Sequence, residues 1–190
     1  MVSAMLGDAR KIPLKRQFDA VITSPPYPNR HDYTRIYLLE MAFDFITNNS
    51  ELKQIRYDTL RSHVEAKKRF EANNYEQPKK LTKLLQKVGS NGINNPQVIT
   101  MIEGYFEDMY LCLEQMKKRL VEKGRIALVV SNVRFAGVNI PVDQLLCDIG
   151  QQLGLKPKAI WIARKRGNSA QQMKHYERKP SRESVVVWEN

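Results

Sequence analysis

The chain has 190 residues, 42% of them hydrophobic, and carries 31 Lys and Arg against 20 Asp and Glu, a net charge of +11. Those values exclude a disordered chain and suffice for one sizeable core, so a single domain over 1–190 is expected. The basic excess points to a polyanion such as nucleic acid, the alternative being a solvated basic surface.

In chain order, "AMLGDARKIPL" opens with a brief apolar piece ending at Gly7-Asp8, then a loop with Pro13. "FDAVIT" (18 to 23) is rich in β-branched residues and reads as a strand of a parallel sheet, buried on both faces. It runs directly into Ser24-Pro25-Pro26-Tyr27. In "DYTRIYLLEMAFDFI", Ile36, Leu39, Phe43 and Ile46 recur at steps of three and four, the pattern of an amphipathic helix. Residues 49 to 96 are more polar, with ten Lys and Arg and five Asp and Glu between 51 and 88, and read as a basic helical insertion, a possible target-recognition element. From about Pro96 to Lys123, Ile102, Phe106, Met109, Leu113, Met116 and Leu120 predict a helix capped by Gly124.

"RIALVVSN" (125 to 132) predicts a second buried strand, ending on polar residues placed to face a ligand. Pro141 opens a helix with Val142, Leu145, Leu146, Ile149 and Leu153 inward and Gly154 at its end. "KAIWIAR" (158 to 164) and "ESVVVWE" (183 to 189) predict a terminal strand pair. Cys112 and Cys147 lie in helix patterns as core thiols, and His31, His63 and His175 are scattered, so neither a disulfide framework nor a metal is assigned. The absence of a signal-like or membrane-length apolar stretch predicts a cytoplasmic protein. Strands alternating with helices predict an α/β sheet whose ligands lie beyond the strands' carboxyl ends.

Ser24-Pro25-Pro26-Tyr27 would then lie in the ligand crevice. Two prolines restrict φ and remove donors, leaving fixed carbonyl acceptors beside the Ser24 hydroxyl and the Tyr27 ring. Such an array suits a planar group bearing an NH2, and holding its hydrogens would aim the nitrogen lone pair at an electrophilic methyl group. "TSPPY" resembles the signature of the amino-methyltransferases that use S-adenosylmethionine (SAM), closest to the cytosine-N(4) type, though adenine-N(6) enzymes also carry it.

The resemblance implies a partial Rossmann-like SAM-methyltransferase sheet with an antiparallel terminal strand pair. It implies Ser24, Pro25, Pro26 and Tyr27 as the catalytic turn. Asp8, Ala9 and Ser24 lie toward the cofactor, although Asp8 also reads as a turn-forming aspartate. The family's Asp-Pro-Phe-x-Gly-x-Gly loop and first strands have no counterpart in this sequence. A second polypeptide supplying them, or another oligomer, is therefore expected, in preference to a fragment or a degenerate binder.

Residues 156 to 182 hold nine Lys and Arg and one acid, Glu177. In this stretch Arg164, Lys165, Arg166, Asn168, Ser169, Gln171, Lys174 and Arg178, together with Arg30 after the turn, are expected to contact a DNA duplex whose target base is flipped out. A solvated loop is the plain alternative. Asn29, Asp32 and Tyr33 position substrate or cap a helix. The leading expectation is the catalytic subunit of a DNA amino-methyltransferase of restriction-modification or defence type. The rivals are an RNA amino-methyltransferase and an inactive DNA-binding or assembly module of the same fold.

Overall fold

The computed structural model describes residues 4–166 and 180–190. Strand β1 (Phe18–Thr23) is followed by short helices α1 (Tyr33–Ile36) and α2 (Leu38–Asp44), then α3 (Asn49–Asp58), α4 (Lys79–Ser90) and α5 (Gln97–Lys118). Strand β2 (Leu120–Ser131), the hairpin β3 (Val133–Phe135) and β4 (Val138–Ile140), helix α6 (Val142–Gln152), and strands β5 (Lys156–Arg166) and β6 (Ser181–Glu189) complete the order.

The main sheet runs β1-β2-β6-β5. Only β1 and β2 are parallel; β6 lies antiparallel to both neighbours. The expected parallel sheet is thus a mixed, mostly antiparallel one, with the terminal strand pair formed as predicted. Strand alternation sends Ile126, Leu128, Val130, Val186 and Trp188 to one face, where all are fully buried with α5 and α6 packed on them. Helix α5 is buried nearly all round because α4 covers part of its outer side with Leu81, Leu85 and Val88.

The opposite face is open. In register along it lie Ile22, Ala127, Val187 and Ala159, and beside them Val129, Val185 and Trp161. Ile22 is 78% exposed and Trp161 61%. The expectation that β1 is buried on both faces is therefore corrected: helices cover one face only. A correction of the same kind applies to the predicted helix after the proline turn. It forms as α1 and α2, broken at Tyr37, and its stripe of Ile36, Leu39 and Phe43 meets solvent.

Three boundaries also differ. The apolar piece before Asp8 forms no strand; Met5 and Leu6 are exposed, and Asp8 bridges only to Lys11. Helix α5 stops at Lys118, because Leu120 pairs with Phe18 at the start of the sheet. Gly124 consequently sits in the irregular stretch between the Leu120 and Arg125 pairings and caps no helix. A Cβ there would meet the Val121 carbonyl at 2.9 Å and that of Asp19 at 3.1 Å. The β3–β4 hairpin was not anticipated; its two-residue turn, Ala136-Gly137, has φ of 45° and 76°, as a type I′ turn requires. Helix α6 forms as read, with Gly154 at φ 76° just beyond it.

No helix among the described residues is long and apolar enough to cross a membrane.

Candidate active site

The proline turn leaves β1 at the carboxyl end of the parallel pair, where β2 ends beside it. Pro28 is buried and anchors the exit of the turn, while Arg30 takes a left-handed φ of 70° with its backbone N–H on the Ser62 carbonyl at 3.1 Å. Asp32 then caps α1, accepting from the Thr34 N–H at 2.9 Å and its hydroxyl at 2.6 Å. A cleft of about 390 Å³ results, within the usual range for small-molecule sites. Its wall includes Ser24, Pro25, Tyr27, His31, Arg164 and Glu183.

Two hydroxyl groups in this cleft reach across to neighbouring strands. Ser24 Oγ donates to the Val129 carbonyl at 3.2 Å, across to β2. Tyr27 Oη donates to Glu183 Oε1 at 2.9 Å, across to β6. The two hydroxyl oxygens stand 3.4 Å apart. With its proton on the Val129 carbonyl, Ser24 Oγ has lone pairs to present to the cleft, while Tyr27 is held against β6 by Glu183. Among the described residues, no hydrogen bond reaches the Pro25 carbonyl. The Ser24 and Pro25 oxygens are thus acceptors on a rigid frame, beside the donor groups of Asn29 and Arg164 in the cleft wall.

Glu183 is 6% exposed and also accepts from Arg164 Nε. That hydrogen bond, followed by the carboxylate's charge, pushes the Arg164 pKa up. Sequence reasoning placed Arg164 near substrate but missed Glu183. The available signal was an acid opening an otherwise apolar strand, "ESVVVWE".

The remaining predicted residues are placed as follows. Pro26 is half-buried behind the cleft wall, and Arg30 and Lys165 are exposed outside it. Arg166 ends β5, in register with Ser181. Asn168, Ser169, Gln171, Lys174 and Arg178 lie outside the described residues. Asp8 and Ala9 do not line the cleft. Both Asp8 oxygens are taken by Arg10, at 2.8 and 3.0 Å, and the Lys11 N–H closes a turn on its carbonyl. Burial would raise the Asp8 pKa, but the Arg10 hydrogen bonds and charge outweigh it and hold it below the ordinary carboxylate value.

Ser131 and Asn132, expected to face a ligand, are buried instead. The Asn132 side chain accepts from the Asp143 N–H at 3.2 Å, tying the end of β2 to the first turn of α6.

Asp32, His63 and Glu65 bring ligand-type atoms within 4.8 Å of one another. Arg56 Nε already lies 2.8 Å from Asp32 and 3.3 Å from Glu65 as an ion pair, while its hydrogen bond goes to Thr34 Oγ1 at 3.0 Å, and Arg35 pairs with both acids. Two guanidinium groups in that space disfavour a cation.

No family model matches the chain. Sequence comparison finds it 35% identical over 195 residues to the Type II methyltransferase M.BsoBI of Geobacillus stearothermophilus. It is 34% identical over 183 residues to the Type II methyltransferase M.AvaI of a Nostoc species, and equally to that of Anabaena variabilis. Each alignment covers 90% of this chain and 38% of the relative, so the chain spans well under half the length of the curated relatives it matches. Among solved structures, a Thermus thermophilus protein provisionally described as a DNA modification methylase superposes with a TM-score of 0.47 at 16% identity, over 97% of this chain and 52% of its own.

Proposed function

We propose, with this chain's homology to the Type II methyltransferases as the premise, that it is the part of a DNA methyltransferase that holds the exocyclic amine of the target cytosine or adenine. The observation supporting this reading is the pair of acceptors on the proline turn, Ser24 Oγ and the Pro25 carbonyl, at the cleft wall. With the Ser24 proton on Val129 and no hydrogen bond on the Pro25 carbonyl among the described residues, the turn offers oxygen lone pairs, and an NH2 group is their complement. Acceptors on both amine hydrogens draw nitrogen out of conjugation and aim its lone pair, while the Tyr27 ring supplies a stacking face. A base in a duplex must leave its stack to arrive there.

S-adenosylmethionine would supply the methyl group. In this chain Asp8 is engaged by Arg10, and no glycine-paired loop follows a strand. We assign the donor to a second polypeptide that extends the sheet at β1 and covers its open face. Supporting this are the outer edge of β1, unpaired among the described residues, and the exposed apolar residues Ile22, Ile36, Leu39, Phe43 and Trp161. The whole would act in a restriction-modification or related defence system.

The test is transfer of tritiated methyl groups from SAM to duplex DNA by the assembled protein. Ser24→Ala and Tyr27→Ala are each expected to lower the rate about 10²- to 10³-fold, the usual loss for one preorganised polar group. Undiminished transfer by both variants would end the catalytic assignment and favour the inactive-module reading, and preferential transfer to RNA would replace the substrate. The chain alone is expected to bind SAM weakly or not at all; tight binding would remove the need for the second polypeptide.

A further inference from the structure

A second depression, of about 430 Å³, opens on the segment that begins with α3. Its walls include Lys53, Arg56, Tyr57, Glu65, Lys67 and Gln97. The charges there do not balance. Arg56 is neutralised by Asp32 and Glu65. Lys53 and Lys67 have no ion pair among the described residues; their ammonium groups stand 5.6 and 5.4 Å from the centroid of the same Tyr57 ring. The Lys67 N–H donates to the Tyr57 carbonyl at 2.9 Å, which fixes that lysine's backbone beside the ring.

A ring contact at these distances contributes only about 0.5–1 kcal/mol per cation. It holds two like charges near one another without discharging either. The two ammonium groups are at most about 11 Å apart, a spacing that one phosphodiester or two neighbours on a strand can bridge. Asp32 links the groove to the cleft. It lies between His31 and Tyr33, which line the cleft, and its carboxylate holds Arg56, which lines the groove.

We propose that this groove binds the sugar-phosphate backbone of the DNA strand whose base enters the Ser24–Tyr27 cleft, with Lys53 and Lys67 as its cations and Tyr57 as their common support. The proposal rests on the function above only for the identity of the nucleic acid.

The measurement is binding of a fluorescein-labelled 20-base-pair duplex to the full chain by anisotropy, from about 50 to 300 mM NaCl. The paired change Lys53→Gln and Lys67→Gln is compared with Lys15→Gln and Lys123→Gln, exposed lysines near the amino ends of β1 and β2 that remove the same net charge. The groove pair is expected to lower the slope of log K against log salt by about 1–2 and to weaken binding about tenfold or more at the lowest salt. The Lys15 and Lys123 pair should change the slope by less than about 0.5. Equal losses from both pairs would reduce the groove to net charge and overturn the proposal, as would an unchanged slope. A duplex RNA bound more tightly than the DNA, with the same dependence on Lys53 and Lys67, would overturn the assignment to DNA. Because the readout is binding, a groove-specific loss stands even where no methyl transfer occurs, and failed transfer alone would count only against the proposed function.

Discussion

Asp108 is the acid on which the most buried charge depends, and Asp108→Asn tests that directly. It lies in the middle of α5 with no exposure. Oδ2 accepts from Arg10 Nη1 at 2.9 Å and the Arg61 N–H at 3.0 Å, while Oδ1 accepts from Arg61 Nη2 at 2.7 Å. The Arg10 side chain is 2% exposed and that of Arg61 11%, so neither can recover water in place of the lost charge. Arg61 fits there because α5 has Gly104 beneath it, where a Cβ would lie 2.7 Å from Arg61 Cδ. Removing one member of a buried pair costs about 3–5 kcal/mol. Arg10 keeps Asp8 and Arg61 keeps Glu107, which places this variant near the lower end, at about 3 kcal/mol. For a chain of this length that is a fall in Tm of about 6–12 °C. Urea denaturation followed by circular dichroism gives the free energy, and hydrogen exchange shows where it is lost. Protection should fall at residues 8–11 and 59–63, the latter including the Ser62 carbonyl that braces Arg30, and should hold in α6 and β6. A loss below about 1 kcal/mol, or one spread evenly over the chain, would refute the argument that this carboxylate ties the amino-terminal turn to the core.

Gly150→Ala should destabilise by about 1–3 kcal/mol in the same urea assay, since the new Cβ would lie 2.3 Å from Nε1 of the fully buried Trp188. His63 gives a pH dependence: burial is the largest influence and, with Arg56 and Arg35, outweighs Asp32 and Glu65 to hold its folded-state pKa below the ordinary 6.5. On acidification the unfolded chain therefore binds the proton first, so stability falls as pH drops through 6.5, by at most about 1.4 kcal/mol per pH unit. His63→Gln should flatten Tm between about pH 6.5 and 5, and an unchanged profile would show that another group titrates. Asp143 behaves as a carboxylate should when paired. Burial would raise its pKa, but hydrogen bonds from Arg182 and Ser184 pull it below 3.8, so its contribution is full above about pH 5 and disappears as pH falls through the lower folded value. Asp143→Asn is expected to lower stability at pH 7 and to make the acid limb shallower, both read from Tm against pH.

The local chemistry of the candidate site was legible in the residues themselves. Two prolines after a β-branched run make a stiff turn in any fold, and Pro141 with Gly154 brackets a helix wherever it packs. What the turn faces was not legible, because Glu183 meets Tyr27 across a sequence separation of 156 residues. Asp108 lies off the Ile102, Phe106, Met109 and Leu113 stripe; only assembly brings Arg10 and Arg61 over it and buries α5 nearly all round. Periodicity over Ile36, Leu39 and Phe43 announced one helix with an apolar face, which forms as the two short helices α1 and α2. It could not say what covers that face, because a period reports which side chains share a side and carries no information about the surface opposite. Helix propensity persists through Lys123, yet α5 ends at Lys118 because pairing Phe18 with Leu120 brings β2 into the sheet. Short-range rules thus determined the elements and the turn, and contacts between distant residues decided where the elements stop and what the turn faces.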